Sequence, residues 1–412
     1  MSSWSERCES EHQLYHHRLE KELVLETKYS ELTSVSIDGV KDVIKTDEVG
    51  DLNIYNYTQC GDDSEDLTKQ CRGVIFDGDT LVSRGYVYTE EHVVDDQFSW
   101  NDEWKDNMFF RAYEGTTVRL WFLKDTPMLS TNRRIDADNS RWGTKKSFGE
   151  MFRERLQSLA IHDKKFREYL NLEKGPVDDV FKHFTDSLDK SYQYTFFIPV
   201  EWDSRIVCGP DSRIQLLHVG TFDKDWNLIL GKYVGVSHPE QIPYSDNIIE
   251  EHVMNADPND SPGILMYQQN GRPVKFISQR YADLYSLRGN VQSVRFRYLQ
   301  LRLDRADEFK NLYPEHEESF EEYEVILDTV ADEIHSAYVA RHVKRRYVYV
   351  PKSWFRVMRE CHKWHCLDRK QNIVRVEVVK SVMNEQTPTT LNHMIKKWRL
   401  EERARSRNLS RE

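Results

Sequence analysis

Between Phe109 and Phe122 the chain reads FFRAYEGTTVRLWF, an apolar run that breaks at Glu114-Gly115 and then resumes. The pattern is that of a β-strand running into a glycine turn and leaving as a second strand, with a carboxylate at the bend. A nucleophile for phosphorus at such a bend would be an uncharged amine, and lysine supplies one because its pKa falls readily where its charge is disfavoured. Ala112 offers only a methyl group, and the Arg111 guanidinium stays protonated with no free lone pair. The nearest lysines are Lys105, ahead of the first strand, and Lys124, nine residues past Gly115. The bend thus keeps an acid and lacks a nucleophile.

Two other groupings have chemical potential. Cys361, His362, His365 and Cys366 in ECHKWHC are soft ligands at helical spacing. On a helix His362 and Cys366 share one face and Cys361 and His365 another, so the four cannot close on one tetrahedral ion; packing is the expectation and no metal is assigned. The second grouping is cationic. Residues 341–412 hold nineteen Lys or Arg against seven Asp or Glu, a balance of +12, and with the whole chain at −11 the first 340 residues carry −23. Lys344-Arg345-Arg346, Lys396-Lys397-Trp398-Arg399 and Arg403-Ala404-Arg405-Ser406-Arg407 concentrate that charge. It is the footprint of a polyanion partner or, read more simply, of basic residues solvating helices.

The elements that must position these residues divide near residue 300. Up to that point β-rich runs such as Thr117 to Leu123, Tyr194 to Val200 and Ile214 to Thr221 alternate with helical segments at Phe148 to Ala160, Lys165 to Leu172 and Asp178 to Lys190. Ala306 to His342 has a helical period, with Leu312, Phe320, Tyr323, Ile326, Leu327 and Val330 as its apolar stripe. Tyr347 to Tyr349 and Ile373 to Val379 interrupt the helical pattern with β-branched residues, and the tail from Glu401 is expected to fray.

With 412 residues the chain can build two cores. It holds no apolar run long enough for a membrane helix, and the polar start MSSWSERCESEH has no signal-peptide core. Six cysteines without compact spacing fit free thiols in a reducing compartment, so a cytoplasmic protein with no membrane partner is expected. Ten Trp and twenty-one Tyr serve a core by default, although aromatic rings can also stack bases.

Ordered blocks run through the first three quarters of the sequence. They are Cys71-Arg72-Gly73-Val74-Ile75-Phe76 with Leu81-Val82-Ser83-Arg84, the strand and turn described above, Ser204-Arg205-Ile206-Val207 with IQLLHV at 214–219, Pro262-Gly263-Ile264-Leu265-Met266, and Val274-Lys275-Phe276-Ile277-Ser278. In order and spacing they resemble the RNA ligase 1 family, and Phe355 to Lys370 is similar to the helical end of such ligases; the resemblance covers roughly residues 50 to 380. It implies an α+β protein in two parts. Residues 1–300 would form an adenylyltransferase (ATP-grasp-like ligase) domain of antiparallel sheets with flanking helices around a nucleotide cleft, and residues 301–412 a basic, mainly helical domain.

The resemblance also assigns roles, position by position. Arg72 matches the arginine that contacts the triphosphate, Glu114 and Gly115 match the acid and turn glycine beside the nucleophile, and Arg205, Gly263 and Lys275 match further nucleotide-binding or catalytic positions. The nucleophilic lysine of the family falls on Ala112, and a phosphate-binding lysine falls on Tyr88. Where the family has Thr-Lys-Gly, this chain reads Thr131-Asn132-Arg133. A glutamate seven residues before Arg205 is replaced by Ile198, with Glu201 nearby but on the opposite strand face unless a bulge intervenes. Pro262-Gly263 stands for Glu-Gly, and Lys275-Phe276-Ile277 for Lys-x-Lys. Charged catalytic groups are lost while the apolar frame persists.

The resemblance implies RNA ligation, the lost charges turn that reading into a pseudoligase, and the basic clusters make it one that binds RNA, through Lys344, Arg345, Arg346, Lys396, Lys397 and Arg399, or a protein partner. No cofactor is needed in that case. The alternatives are an ATP- and Mg²⁺-dependent RNA ligase acting by an unusual route or trapped by a Lys-to-Ala change, and a nucleotide-sensing or structural protein.

Overall fold

The computed structural model of the chain describes residues 14–27, 32–173 and 177–409. The polar N-terminal stretch and Cys8 lie outside them, as do the side chains of Arg405 and Arg407. The chain is an α+β protein with a helical C-terminal region, and its two compact units are Met1–Tyr285 and Ser286–Glu412. The division comes earlier than residue 300 because Leu299, on the helix Val294–Leu301, packs into the core of the second unit.

Among its described residues the first unit contains three sheets. The largest orders its strands Leu23–Leu25, Leu228–Leu230, Leu217–Phe222, Gln193–Pro199, Gly115–Leu123 and Thr126–Ser130, with every pairing antiparallel. The next runs Gln241–Ile242, Met108–Arg111, Gly263–Tyr267, Pro273–Ser278 and Glu90–Val94; its last pairing is parallel, a departure from the all-antiparallel expectation. The third is formed by Val43–Val49, Leu52–Tyr57, Arg72–Asp77 and Thr80–Ser83.

Helix Phe148–His162 starts where the sequence provides a capping box: the Ser147 hydroxyl accepts from the Glu150 N–H, and the Glu150 carboxylate accepts from the Ser147 N–H. Its buried residues Phe152 and Leu156 pack with Phe184 of helix Val180–Asp186 onto Val118 and Phe196 of the largest sheet. That layer fixes the strand following the Glu114-Gly115 bend. The strand before the bend belongs to the second sheet, so the chain crosses between sheets at Ala112, Tyr113 and Glu114.

The second unit is helical, with no strand among its described residues. The stripe read from sequence lies on helix Glu317–Tyr338, which buries Phe320, Tyr323, Ile326, Leu327 and Val330. Continuity from Ala306 fails at Tyr313-Pro314, where a short turn with proline at its start separates helix Ala306–Leu312 from the longer one. The reading of Ile373 to Val379 as an interruption is half corrected. Helix Val376–Asn384 begins inside that stretch because burial of Val379 and Met383 outweighs β propensity. The last helix, Pro388–Leu409, continues past Glu401 rather than fraying there, anchored upstream by buried Leu391, Met394 and Ile395. Among the described residues no helix is long and apolar enough to cross a membrane, and Cys60, Cys71, Cys208, Cys361 and Cys366 are free thiols.

Candidate functional site

The Ala112 bend opens onto a cavity of about 390 Å³ whose walls come from all three sheets of the first unit. Arg72, Tyr88, Ala112 and Lys275, far apart in sequence, line it together. Ala112 is only 6% exposed; its N–H donates to the Gly263 carbonyl at 2.9 Å, and its carbonyl accepts from the Ser261 hydroxyl at 3.3 Å. No acid or base stands at this point of the wall.

Glu114 faces away from the cavity lining. It is 7% exposed, and its carboxylate accepts from the Val207 N–H at 3.0 and 2.9 Å, the Ile206 N–H at 3.1 Å and the Tyr281 hydroxyl at 2.8 Å. Its own carbonyl accepts from the Val200 N–H at 3.1 Å. Burial and then the Glu114 charge push the Tyr281 and Cys208 pKa values up, which keeps both protonated. The carboxylate thus clamps the Arg205-Ile206-Val207 segment and the start of the Gln279–Arg288 helix to the sheet crossing.

Gly115 and Gly263 are required by close packing. A Cβ at Gly115 would come within 2.2 Å of the Ile198 carbonyl oxygen, and one at Gly263, where φ is +133°, within 2.0 Å of the Phe276 oxygen. Arg205 is buried, with Nη1 donating to the Val207 carbonyl at 2.9 Å and the guanidinium over the Trp202 ring. Glu114, Gly115, Arg205 and Gly263 therefore buttress the cavity from outside its wall. Gly263 instead borders a separate pocket with Glu240, Glu251, Asp257 and Asp260.

The cations of the wall differ in how they are engaged. Arg72 donates to the Thr89 hydroxyl at 3.3 Å, and among the described residues no carboxylate pairs with it. Lys275 pairs with Glu91 at 3.2 Å and lies over the Tyr281 ring, while Arg111 is 3.8 Å from Glu240 and donates to the Asp260 carbonyl at 3.0 Å. Apart from Glu91, the rest of the wall is apolar or neutral. Tyr57, Phe110, Tyr113, Phe197 and Tyr267 contribute rings, and burial pushes the Tyr88 hydroxyl up to about 12. His218 and His238, with ring centroids 5.6 Å apart, are held neutral: burial lowers His238 and takes His218 down to about 3. His238 accepts from the Leu19 N–H at Nδ1 and so donates from Nε2 to the Lys232 carbonyl at 3.1 Å.

Such walls suit a planar ring system with one anionic group near Arg72, and at position 112 they present a methyl group. Ile198 is buried in the core beneath the largest sheet, Ile277 is buried as well, and Glu201 leaves the strand to pair with Arg155 at 2.6 Å. Among the described residues no three His, Cys, Asp or Glu side chains converge as a metal site. Sequence reasoning missed Thr89, Glu91, His218 and His238. For His218 the signal was present, a histidine inside the apolar run IQLLHV.

In the second unit, Cys361 is buried in the core and its thiol pushed up to about 11 by burial. His362 stacks on His342 at 4.0 Å, with its Nδ1 3.2 Å from the Tyr338 hydroxyl and its Nε2 3.7 Å from Cys366 Sγ. The cations at Lys396, Lys397 and Arg399 are unequally exposed. Lys396 is exposed, but Lys397 pairs with Glu401 at 3.2 Å, Arg399 pairs with Glu322 at 2.6 Å over the Tyr323 ring, and Trp398 packs against the core. Acidic residues one turn along, or on the facing helix, take up that charge. Lys344, Arg345 and Arg346 are exposed in an irregular segment.

No protein-family profile matches the chain. It is 25% identical over 366 residues to the immediate-early protein ICP-46 homolog of invertebrate iridescent virus 6, an alignment spanning 80% of this chain and 77% of that protein. It is 24% identical over 361 residues to the immediate-early protein ICP-46 homolog of invertebrate iridescent virus 3, spanning 82% of this chain and 75% of the relative.

Proposed function

We propose that the chain is an RNA ligase-like pseudoenzyme: an adenylyltransferase-type cleft that forms no covalent nucleotide, joined to a basic helical unit that binds RNA. The observation that carries the reading is the convergence of Arg72, Ala112 and Lys275 on one cavity, in the order the ligase resemblance implies and with a methyl group where its nucleophile belongs. The similarity to two viral immediate-early proteins supports a viral setting for this chain.

Incubation with [α-³²P]ATP and Mg²⁺ or Mn²⁺ will give no covalent protein-AMP, and Ala112→Lys will not restore RNA ligation. Ile198, Pro262 and Ile277 still lack the charges that would stabilise a transferring phosphate. A labelled adduct in the unsubstituted chain would refute the absence of a nucleophile. Robust ligation by Ala112→Lys would instead identify a working ligase disabled at one position.

A further inference from the structure

The segment between the turn Val339–Val343 and helix Lys352–Leu367 carries no regular structure and exposes aromatic rings that a folded chain normally buries. Tyr347 is 91% exposed and Tyr349 73%. The residues alternating with them, Val348 and Val350, are half-buried, and Val350 packs against the core of the second unit. The two tyrosines therefore share the outward face of an extended strand of chain, about 7 Å apart along the backbone. That spacing leaves room for each ring to take a planar partner of its own.

The cations directly before them have no carboxylate partner among the described residues, whereas Arg359, further along, pairs with Glu360 at 3.6 Å. From Ile334 to Arg359 the sequence has seven Lys or Arg and no Asp or Glu. Lys344, Arg345 and Arg346, directly before the tyrosines, are exposed, and none pairs with a carboxylate among the described residues. Arg345 sits at φ +55°, and the Arg346 N–H donates to the Ala340 carbonyl at 2.8 Å, so the segment leaves the helix along a set path. Arg341, one turn earlier, lies over the Phe355 ring. Lys397 and Arg399 differ from these, since both are already engaged by glutamates.

We infer that Lys344–Tyr349 is a platform for single-stranded nucleic acid, with Tyr347 and Tyr349 stacking on successive bases and Lys344, Arg345 and Arg346 meeting the phosphates. This rests on the RNA-binding half of the proposed function and names its substrate class. Stacking requires an open base face, which a single strand offers and a duplex conceals. The cations alone would serve either form; the rings select the single strand.

The test measures binding of the full chain to labelled oligouridylate, oligothymidylate and an RNA duplex by fluorescence anisotropy across a salt series. Each stacked base contributes roughly 5- to 150-fold. Y347A/Y349A is therefore expected to weaken oligouridylate binding by about 25-fold or more without changing its salt slope, and to leave duplex binding unchanged. Y347F/Y349F keeps the ring and restores affinity, which a role for the hydroxyls would not allow. K344Q/R345Q/R346Q flattens the salt slope by about 2, at about 0.7 per phosphate on a single strand. Comparable binding of oligothymidylate extends the platform to single strands of either sugar, and a preference for oligouridylate assigns it to RNA.

Wild-type binding that Y347A/Y349A leaves intact overturns the platform but not the RNA-binding reading. Equal losses on single strand and duplex overturn the single-strand selectivity. Absence of nucleic-acid binding by the wild type overturns both and turns the exposed tyrosines into a protein-docking surface. All the substituted side chains are exposed, so circular dichroism of each variant should match the parent.

Discussion

Replacing Glu114 separates a structural clamp from a catalytic acid. In Glu114→Ala the N–H groups of Ile206 and Val207 and the Tyr281 hydroxyl lose the Glu114 carboxylate together, Val207 and Tyr281 in a buried setting and Ile206 in a part-buried one. Hydrogen bonds to a charged group contribute roughly 1.5–3 kcal/mol each, and a buried donor left unpaired costs about 1–3 kcal/mol. Neither set adds fully, because water can enter the vacated volume. A net loss of about 3–5 kcal/mol is expected, at the upper end of single-substitution effects. Glu114→Gln keeps one oxygen for the backbone donors and presents an amide that the Tyr281 hydroxyl can meet by rotating, so its loss should be smaller, about 1–2 kcal/mol. Urea unfolding of the full chain, followed by tryptophan fluorescence, reads both, with Glu201→Gln as the control. Glu201 pairs with Arg155 in a partly exposed position, where breaking the pair costs under about 1 kcal/mol. A Glu114→Ala variant as stable as the parent would refute the clamp.

Two further predictions concern the cavity. His218 is buried and neutral, with its folded pKa taken down to about 3 from an ordinary value of 6.5, so its contribution is fully present above pH 6.5 and is lost as pH falls from there toward 3. Stability measured between pH 7 and pH 4 should decline along this limb in the parent and decline less in His218→Asn; parallel curves would show that His218 does not titrate on unfolding. ATP should bind weakly, because Ala112, Tyr88 and Ile277 stand where the ligase resemblance has three cations, each worth roughly 1.5–3 kcal/mol to a triphosphate. Calorimetry giving micromolar affinity would favour nucleotide sensing instead.

Much of the architecture was legible because it rests on local patterns. The apolar runs within Gly115–Leu123 and Gln193–Pro199 and the stripe from Phe320 to Val330 report burial directly. Arg72, Ala112 and Lys275, from three separate blocks of the sequence, line one cavity. What escaped depends on partners distant in sequence. Nothing near Glu114 announces that Ile206, Val207 and Tyr281 will saturate it, and nothing in KKWR shows that Glu322 faces Arg399. The exposure of Tyr347 and Tyr349 was hidden for the opposite reason, since an aromatic, β-branched run reads as core until a fold leaves it outside.

The same contrast explains which motif positions persist on the proposed reading. Glu114 holds two backbone donors and a tyrosine, Gly115 and Gly263 stand where a Cβ would strike a carbonyl oxygen, and Arg205 caps the Val207 carbonyl. Each of these is needed by packing whether or not any phosphate is transferred. A lysine at position 112, by contrast, would stand in the same cavity wall as Arg72, Arg111 and Lys275, where only a bound anion could repay the clustered positive charge. Once the covalent step is absent, an alanine there is the more stable residue, and apolar Ile198 and Ile277 are likewise better core than a carboxylate and a lysine. Survival of Glu114, Gly115, Arg205 and Gly263 is consequently a consequence of the fold and carries no weight as a sign of catalysis. The residue that points instead to a bound anion is Arg72, half-buried in the cavity wall with no carboxylate partner among the described residues, which packing alone does not require.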